Sequence, residues 1–480
     1  MIEIERFNES YIKIHCDDNI AQELGDYFTF EVPGARFIPA VRKKRWDGKI
    51  RLFNSGTHHI YTGLIDYVRE FSKQNNYEVI LKSNFDDEEV NFDVEKFFSS
   101  IELTKAPRDY QVLAFLHALK KRRSLLLSPT ASGKSLIIYL LARYYNKKTL
   151  LIVPTTSLVH QMYRDFEEYG FDSDSECHMI FSGQEKDVDK QIYISTWQSI
   201  YNLPRKWFEK FEVVIGDEAH LFAAKSLTTI MQNLSNCKYR FGFTGTLSGS
   251  KTHKLVLEGL FGTVKKVTTT SDLIEQKYLS DFKVKAILLK YEDSYRKLMK
   301  DQTYRKEIEF LITHEPRNRF ICKLVSQLKG NTLVLYQYVD KHGKAIYDLL
   351  TEYIPQDFPT YFVSGEMRGE DRDSIRRTLE LETDSITIAS YGTFSTGINI
   401  TNLHNVVFAS PSKSRIKVLQ SIGRGLRKGN RKDKAVLYDI ADDVQWKQRR
   451  NYTLNHFVER IRLYNEEKFE YKTYTIDLKG

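Results

Sequence analysis

A chain of 480 residues with 41% hydrophobic and 28% charged residues has an ordinary globular composition and the length of about three domains, each able to bury a core. Its formal net charge of +9 is unevenly spread: residues 1–100 hold 13 Lys and Arg against 18 Asp and Glu, whereas Pro411 to the end holds 17 basic and 9 acidic residues, a candidate polyanion face. Four scattered cysteines (Cys16, Cys177, Cys237, Cys322) exclude a zinc cluster or a disulfide framework, and no apolar run nears the ~20 residues that span a bilayer, so the expectation is a soluble, cytoplasmic protein without a leader or membrane partner.

The first hundred residues alternate short β-like runs with turns: Ile2–Glu5, Tyr11–His15, a helical Ile20–Tyr27, then Phe28–Val32 before Pro33-Gly34. Between Arg36 and Phe53, the cations Arg36, Arg42, Lys43, Lys44, Arg45, Lys49 and Arg51 crowd around Trp46-Asp47-Gly48. Two readings stand side by side. One is a solvated β-hairpin face turning at Asp47-Gly48; the other is a phosphate-contacting hairpin in which Arg42, Lys43, Lys44 and Arg45 hold a nucleic-acid backbone and Trp46 packs beneath it or stacks on a base. A helix over Leu64–Phe71, a strand over Tyr77–Leu81 and the acidic run Asp86–Glu89 lead to a boundary near residue 100.

Arg108-Asp-Tyr-Gln111 opens a helix to about Arg123. The apolar run Ser124–Leu127 then leads into Ser128-Pro-Thr-Ala-Ser-Gly-Lys-Ser135 and the helical Leu136–Ala142. Strand, small-residue loop and helix in that order cradle phosphates: the backbone N–H groups of Thr130, Ala131, Ser132 and Gly133 wrap the chain, Lys134 reaches the outer phosphates and Ser135 holds Mg²⁺. Ser128 stands where the usual pattern has its first Gly, so an ordinary strand-to-helix turn is the competing reading. Further strands end in small or polar residues, as an α/β sheet with a ligand at its carboxyl edge requires: Thr149–Val153 before Pro154-Thr-Thr156, Gln191–Ser195 before Thr196-Trp-Gln198, Glu212–Gly216 before Asp217-Glu-Ala-His220, and Phe241–Phe243 before Thr244-Gly-Thr246. Asp217 and Glu218 decide between the readings. A strand that delivers two carboxylates beside a phosphate loop supplies one (Asp217) for the metal and one (Glu218) to orient and deprotonate the attacking water.

A charged helical link over Asp293–Leu311 precedes a second α/β pattern without a phosphate loop: strands Asn331–Tyr336, Thr360–Val363, Ser385–Ala389 and Val406–Phe408, with helices Lys341–Tyr353 and Glu370–Leu381 between them. In Gln420-Ser-Ile-Gly-Arg-Gly-Leu-Arg427, Arg424 and Arg427 are spaced to share one helix face and neutralise a transferring phosphoryl group; the plain alternative is a basic surface helix. Trp446–Phe469, with Arg449, Arg450, Arg460 and Arg462, reads as an amphipathic helix, and two readings stand: core packing with a basic outer face, or direct contact with DNA.

Together these segments resemble the superfamily 2 helicases of the DEAH/DEAD-like kind. Arg108–Gln111 is similar to their adenine-side glutamine motif, Ser132–Ser135 to motif I, Pro154–Leu158 to motif Ia, Asp217–His220 to motif II, Thr244–Thr246 to motif III, Ser390–Asn399 to motif V and Gln420–Arg427 to motif VI. Phe37–Phe53 and the terminal Tyr464–Tyr471 resemble the phage UvsW-type recombination helicases. The resemblance implies an α/β protein of two tandem RecA-like parallel-sheet motor domains (101–285 and 286–480) behind a small α+β N-terminal domain (1–100). It places Gln111 and Gly397 with ATP, Gln420 with the catalytic arginines, and Thr155, Thr156, Thr196, Gln198 and Thr396 on the nucleic-acid backbone. It further implies an ATP- and Mg²⁺-dependent, monomeric helicase of 3′ to 5′ polarity acting on branched DNA: Holliday junctions, forks, D-loops and the RNA-containing R-loops. Asn399 departs from the acidic residue that many relatives carry in motif V. An RNA-directed or duplex-translocating ATPase, and a branched-DNA binding module with a vestigial nucleotide site, are the alternatives.

Overall fold

Apolar runs bounded by turn residues become strands because pairing in a sheet satisfies backbone polar groups that burial would otherwise strip of water. The computed structural model describes residues 1–480 except 33, 86–91, 248–249, 366, 368, 397–401, 411–413, 415–417, 419–420, 424–433 and 480. The chain divides into two compact units, Met1–Ser128 with Gly133–Val267, and Pro129–Ser132 with Thr268–Gly480. Among the described residues no helix is long and apolar enough to cross a membrane.

In the first unit, strands β1 (Ile2–Arg6), β2 (Tyr11–His15), β5 (Phe53–Asn54), β6 (His59–Tyr61) and β7 (Val79–Leu81) form a mixed sheet in the order β5-β6-β2-β1-β7. A separate antiparallel pair, β3 (Thr29–Glu31) and β4 (Lys49–Arg51), carries the basic segment. The first seven-stranded sheet contains β8 (Arg123–Leu127), β9 (Thr149–Val153), β10 (Cys177–Ile180), β11 (Ile192–Thr196), β12 (Val213–Gly216), β13 (Tyr239–Thr244) and β14 (Val264–Lys266), ordered β10-β11-β9-β12-β13-β8-β14 and parallel throughout. Alternation along its strands splits the core: Leu125, Leu150, Ile152 and Val214 face one layer, Leu126, Leu151, Val153 and Ile215 the other.

The first of these layers does not stop at residue 100. It runs from Ile2, Ile4, Ile12 and Leu64 through Leu255, Leu257 and Phe261 of the helix Lys251–Phe261 to the sheet itself. Polar contacts fasten the same joint: the Tyr67 hydroxyl donates to Glu258 Oε2 at 2.7 Å, and the Gln232 amide to the Tyr61 hydroxyl at 2.9 Å. The buried Arg240 spends its guanidinium on the carbonyls of Cys237, Met231 and Leu234 and on Ser10 Oγ, the last at 2.8 Å. The small N-terminal sheet is thus a rigid extension of the first parallel sheet.

The second unit repeats the parallel architecture with β15 (Asp281–Lys290), β16 (Thr332–Tyr336), β17 (Thr360–Val363), β18 (Ile386–Ser390), β19 (Asn405–Phe408), β20 (Lys434–Asp443) and β21 (Glu470–Asp477), ordered β17-β18-β16-β19-β20-β15-β21. Counted in chain order within each sheet, the two strand orders are identical.

Three sequence expectations are corrected. Asp47-Gly48 is not the tip of a tight hairpin: the chain between β3 and β4 is a long loop with a 3₁₀ turn at Ala35–Phe37 and a helical turn at Pro39–Arg42, closed by Val32 N–H donating to the Gly48 carbonyl at 2.9 Å. The helix expected over Asp293–Leu311 is two, Asp293–Met299 and Tyr304–Thr313. Arg460 is not on an outer face. The C-terminal helix Tyr452–Glu466 turns it inward, where it is 2% exposed and its Nη2 meets Asp439 Oδ1 at 2.8 Å.

Candidate active site

Parallel pairing brings the carboxyl ends of β8, β9, β12 and β13 into register: Gly216 lies opposite Ile152 and Gly242, and Thr244 opposite Leu127. The phosphate loop leaves β8 there. Ser128 is fully buried and its N–H donates to the Thr244 carbonyl at 2.9 Å, so this position is held by the sheet and keeps an ordinary backbone. The left-handed residues come later, at Ala131 (φ +66°) and Gly133 (φ +75°). Gly133 is required twice over, because a Cβ there would also lie 2.5 Å from Gln111 Nε2. Ser132 Oγ donates to the Pro129 carbonyl at 2.7 Å, bracing a turn in which Thr130 is half-buried. Lys134 and Ser135 open the helix Lys134–Tyr145, whose first amides have no acceptor within the helix, a geometry suited to an anion.

Gln111 supports the loop from below. Its Oε1 accepts from Arg108 N–H at 2.8 Å, and its Nε2 donates to the Gly133 carbonyl at 3.1 Å.

Asp217 follows β12, and its N–H donates to the Ile152 carbonyl at 2.9 Å. It is 5% exposed, and its Oδ1 is buried without a hydrogen-bond partner among the described residues. Burial pushes its carboxyl up to about 6, opposed by the charge of Lys134 and assisted by that of Glu218. A sequestered carboxylate oxygen and a serine hydroxyl at one sheet edge are oxygen donors of the kind a hard divalent cation takes, so Asp217 and Ser135 fit magnesium. Ser135 Oγ lies 2.8 Å from the Tyr169 hydroxyl, and burial raises that phenol to about 12.

Glu218 adopts the left-handed conformation (φ +49°). His220 Nδ1 lies 3.3 Å from Glu218 Oε2 and 3.1 Å from Thr244 Oγ1, and Thr244 Oγ1 donates to the Thr246 carbonyl at 2.9 Å. The segment after β12 is therefore tied to the segment after β13 through one imidazole.

Lys134, Ser135, Asp217 and Glu218 converge on the carboxyl edge of the first sheet. Thr155 caps the helix Thr156–Glu168, its Oγ1 accepting from Leu158 N–H at 3.4 Å, and Thr196 is buried with its hydroxyl 2.9 Å from Ser199 Oγ. Of the backbone-contact candidates in this sheet, Thr156 and Gln198 are the exposed ones. Arg42, Lys43, Lys44 and Arg45 are exposed and make no ion pair among the described residues; Trp46 is half-buried, its indole N–H donating to the Lys49 carbonyl at 3.0 Å. Gly397, Asn399, Gln420, Arg424 and Arg427, and the side chain of Thr396, lie outside the described residues.

Sequence reasoning passed over His220, Thr244 and Tyr169 as working residues. The spacing of the first two after adjacent strands was a usable signal; nothing around Tyr169 announces a residue that meets Ser135.

Two parallel sheets of one strand order, one of them ending in a phosphate loop and a carboxylate pair, define a nucleotide-driven motor of the helicase class. Residues 2–82 match the model of the N-terminal region of the DNA helicase UvsW, residues 104–249 that of the type III restriction enzyme res subunit, and residues 316–429 that of the helicase conserved C-terminal domain. The chain is 36% identical to the ATP-dependent DNA helicase uvsW of Enterobacteria phage T4, over 99% of this chain and 100% of that one. It is 28% identical to the DNA 3′-5′ translocase XPB2 of Sulfurisphaera tokodaii over 40% of this chain and 44% of the relative. The crystal structure of T4 UvsW matches all of both chains at 33% identity with a TM-score of 0.51. The DNA-bound type ISP restriction-modification enzyme LlaBIII shares the fold at 17% identity, over 85% of this chain and 34% of that one, with a TM-score of 0.59. The chain belongs to the UvsW family of ATP-dependent DNA helicases.

Proposed function

We propose that this helicase unwinds or branch-migrates branched DNA, namely Holliday junctions, forks, D-loops and R-loops, in recombination, repair and replication restart. It works as a monomer of 3′ to 5′ polarity in the host-cell cytoplasm. The observation that carries the reading is the exposed cluster Arg42–Arg45, without an ion pair among the described residues, in the long loop between β3 and β4 of an N-terminal region whose five-stranded sheet is fastened to the first motor sheet. A basic loop on a rigid arm holds a second DNA segment at a set distance from the strand being pulled. Both UvsW of T4, a DNA helicase by its name, and XPB2, a 3′-5′ translocase by its name, lend support to the activity and direction.

In this reading, the loop amides from Thr130 to Ser135 and the Lys134 ammonium bind the β- and γ-phosphates of ATP, with Gln111 holding Gly133 in place and Gly397 completing the nucleotide contacts. Ser135 Oγ and Asp217 would hold magnesium, which would supply charge neutralisation at the phosphates. Glu218 orients the attacking water and takes its proton, and His220 carries the position of Glu218 to Thr244. Arg424 and Arg427, with Gln420, neutralise the transferring phosphoryl group. Thr155, Thr156, Thr196, Gln198 and Thr396 line the strand path.

The test is ATPase stimulation across Holliday junctions, forks, linear duplex, single-stranded DNA and RNA. Branched DNA stimulates most in this reading; equal stimulation by linear duplex would favour a duplex translocase that does not separate strands. Lys134→Ala abolishes turnover while DNA binding persists; retained unwinding in that variant would refute the assigned site. Replacing Arg42, Lys43, Lys44 and Arg45 by Gln weakens branched-DNA unwinding more than it weakens basal ATPase; equal loss of both would point to a folding defect.

A further inference from the structure

We propose that Tyr169 is a positioning residue for the metal-binding hydroxyl of Ser135. The inference rests on the reading of Ser135 as a magnesium ligand and adds a group outside every helicase motif in the chain.

The geometry is specific. The Tyr169 hydroxyl lies 2.8 Å from Ser135 Oγ, and the residue is 5% exposed. Tyr169 ends the helix Thr156–Glu168, where its N–H bonds to the carbonyls of Asp165 and Phe166, each at 3.1 Å. Gly170 follows with φ +92°, and a Cβ on it would approach the Glu102 carbonyl to 3.0 Å, so the chain cannot slide at this point. The ring itself is gripped by Tyr139, with centroids 5.4 Å apart. Tyr139 stands one helical turn beyond Ser135 on the helix Lys134–Tyr145 and shares its face. The phenol is therefore fixed on the same helix that it steers.

A serine hydroxyl that binds a cation must present a lone pair to it and send its proton elsewhere. An unrestrained serine rotates among three staggered positions and divides its time among them. Tyr169 selects one. The same phenol either accepts the Ser135 proton or donates to one of its lone pairs, and both leave a lone pair of Oγ available to magnesium. Neither Asp217 nor Lys134 provides this hold, because neither is hydrogen-bonded to Ser135 among the described contacts.

The control is in the same packing. Tyr139 is fully buried and its hydroxyl has no hydrogen-bond partner, so Tyr139→Phe removes a phenol from the same layer without touching Ser135. The experiment is equilibrium binding of a fluorescent ATP analogue to the full chain, titrated once in Mg²⁺ and once in EDTA, with the melting temperature of nucleotide-free protein measured alongside. The quantity read is the factor by which Mg²⁺ tightens binding. Tyr169→Phe should shrink that factor by roughly three- to tenfold, the worth of one hydrogen bond, while leaving EDTA affinity and the melting temperature as they were. Ser135→Ala should remove the factor, and Tyr139→Phe should preserve it. An unchanged or larger factor in Tyr169→Phe, beside a lost one in Ser135→Ala, overturns the proposal and leaves the nucleotide site standing. An unchanged factor in Ser135→Ala overturns both.

Discussion

The two parallel sheets have one strand order and opposite treatments of a buried carboxylate. In the first, Asp217 comes off the end of β12 with an oxygen that no group among the described residues satisfies, and its carboxyl is pushed up to about 6. In the second, two of the three buried carboxylates of β20, Asp439 and Asp442, are each held by an arginine and a tyrosine. Arg317 meets Asp442 at 2.7 and 3.0 Å, with the Tyr291 hydroxyl on the same carboxylate at 2.8 Å; Arg460 and the Tyr464 hydroxyl do the same for Asp439, the latter at 2.8 Å.

Arg317 also donates to the Ala409 carbonyl at 2.8 Å. Tyr291, Ala409 and Asp442 lie at the carboxyl ends of β15, β19 and β20, the strands that correspond to β8, β12 and β13. In the second sheet an internal guanidinium thus fills the edge whose counterpart in the first sheet carries Asp217, with its Nη1 left without a hydrogen-bond partner among the described residues. A satisfied buried charge holds structure together; an unsatisfied one is kept for a ligand.

The largest effect should come from breaking the filled edge. Asp442→Ala leaves Arg317 buried and unpaired and costs about 3–5 kcal/mol, read as a lowered urea midpoint. The double replacement Arg317→Met with Asp442→Leu should return most of that loss. A loss under about 1 kcal/mol in Asp442→Ala would mean that water reaches the pair.

The open edge should respond with the opposite sign. Asp217→Asn abolishes ATP turnover yet stabilises the nucleotide-free protein by about 1–3 kcal/mol at pH 7.5, judged from a shift of roughly two units. The native carboxyl lies above its unfolded value of 3.8, so the folded state holds the proton longer. Stability is full below about pH 4 and falls as pH rises towards 6, and the gain in the variant grows over that same window and is constant above it. A melting temperature that drops in Asp217→Asn contradicts the contrast between the two sheets.

A smaller change comes from Lys134→Met, which removes the cation that favours ionised Asp217. It should destabilise nucleotide-free protein by about 1 kcal/mol at neutral pH, and the effect should vanish in an Asp217→Asn background, a double-mutant cycle that isolates the pair. The smallest belongs to Ser128→Gly. Because Ser128 has no left-handed backbone to accommodate, restoring the expected glycine should change ATPase less than twofold and stability by about 1 kcal/mol at most.

How much of this was legible in the sequence varied with the kind of residue. Thr149–Val153 and Thr360–Val363 were readable to the residue, since unbroken apolar runs have one use in an α/β protein. β20 was not, because Lys-Ala-Val-Leu-Tyr-Asp-Ile-Ala-Asp-Asp places three acids in a strand, and a buried Asp looks like a loop residue until its arginine is known. Arg460 failed for the mirror reason: its cation reads as surface until Asp439 is seen beneath it.

The sequence by itself determined the motor class and picked out the candidate phosphate loop and carboxylate pair, because these depend on residue types at short spacings along one strand, loop or helix. Only the tertiary structure decided that the N-terminal sheet is fused to the first motor sheet, that Tyr169 reaches Ser135 across 34 positions, and that Asp217 is left unsatisfied where Asp439 and Asp442 are not. Each of these is a question of what meets a buried polar group, and the partner arrives from a distant part of the chain that no local pattern specifies.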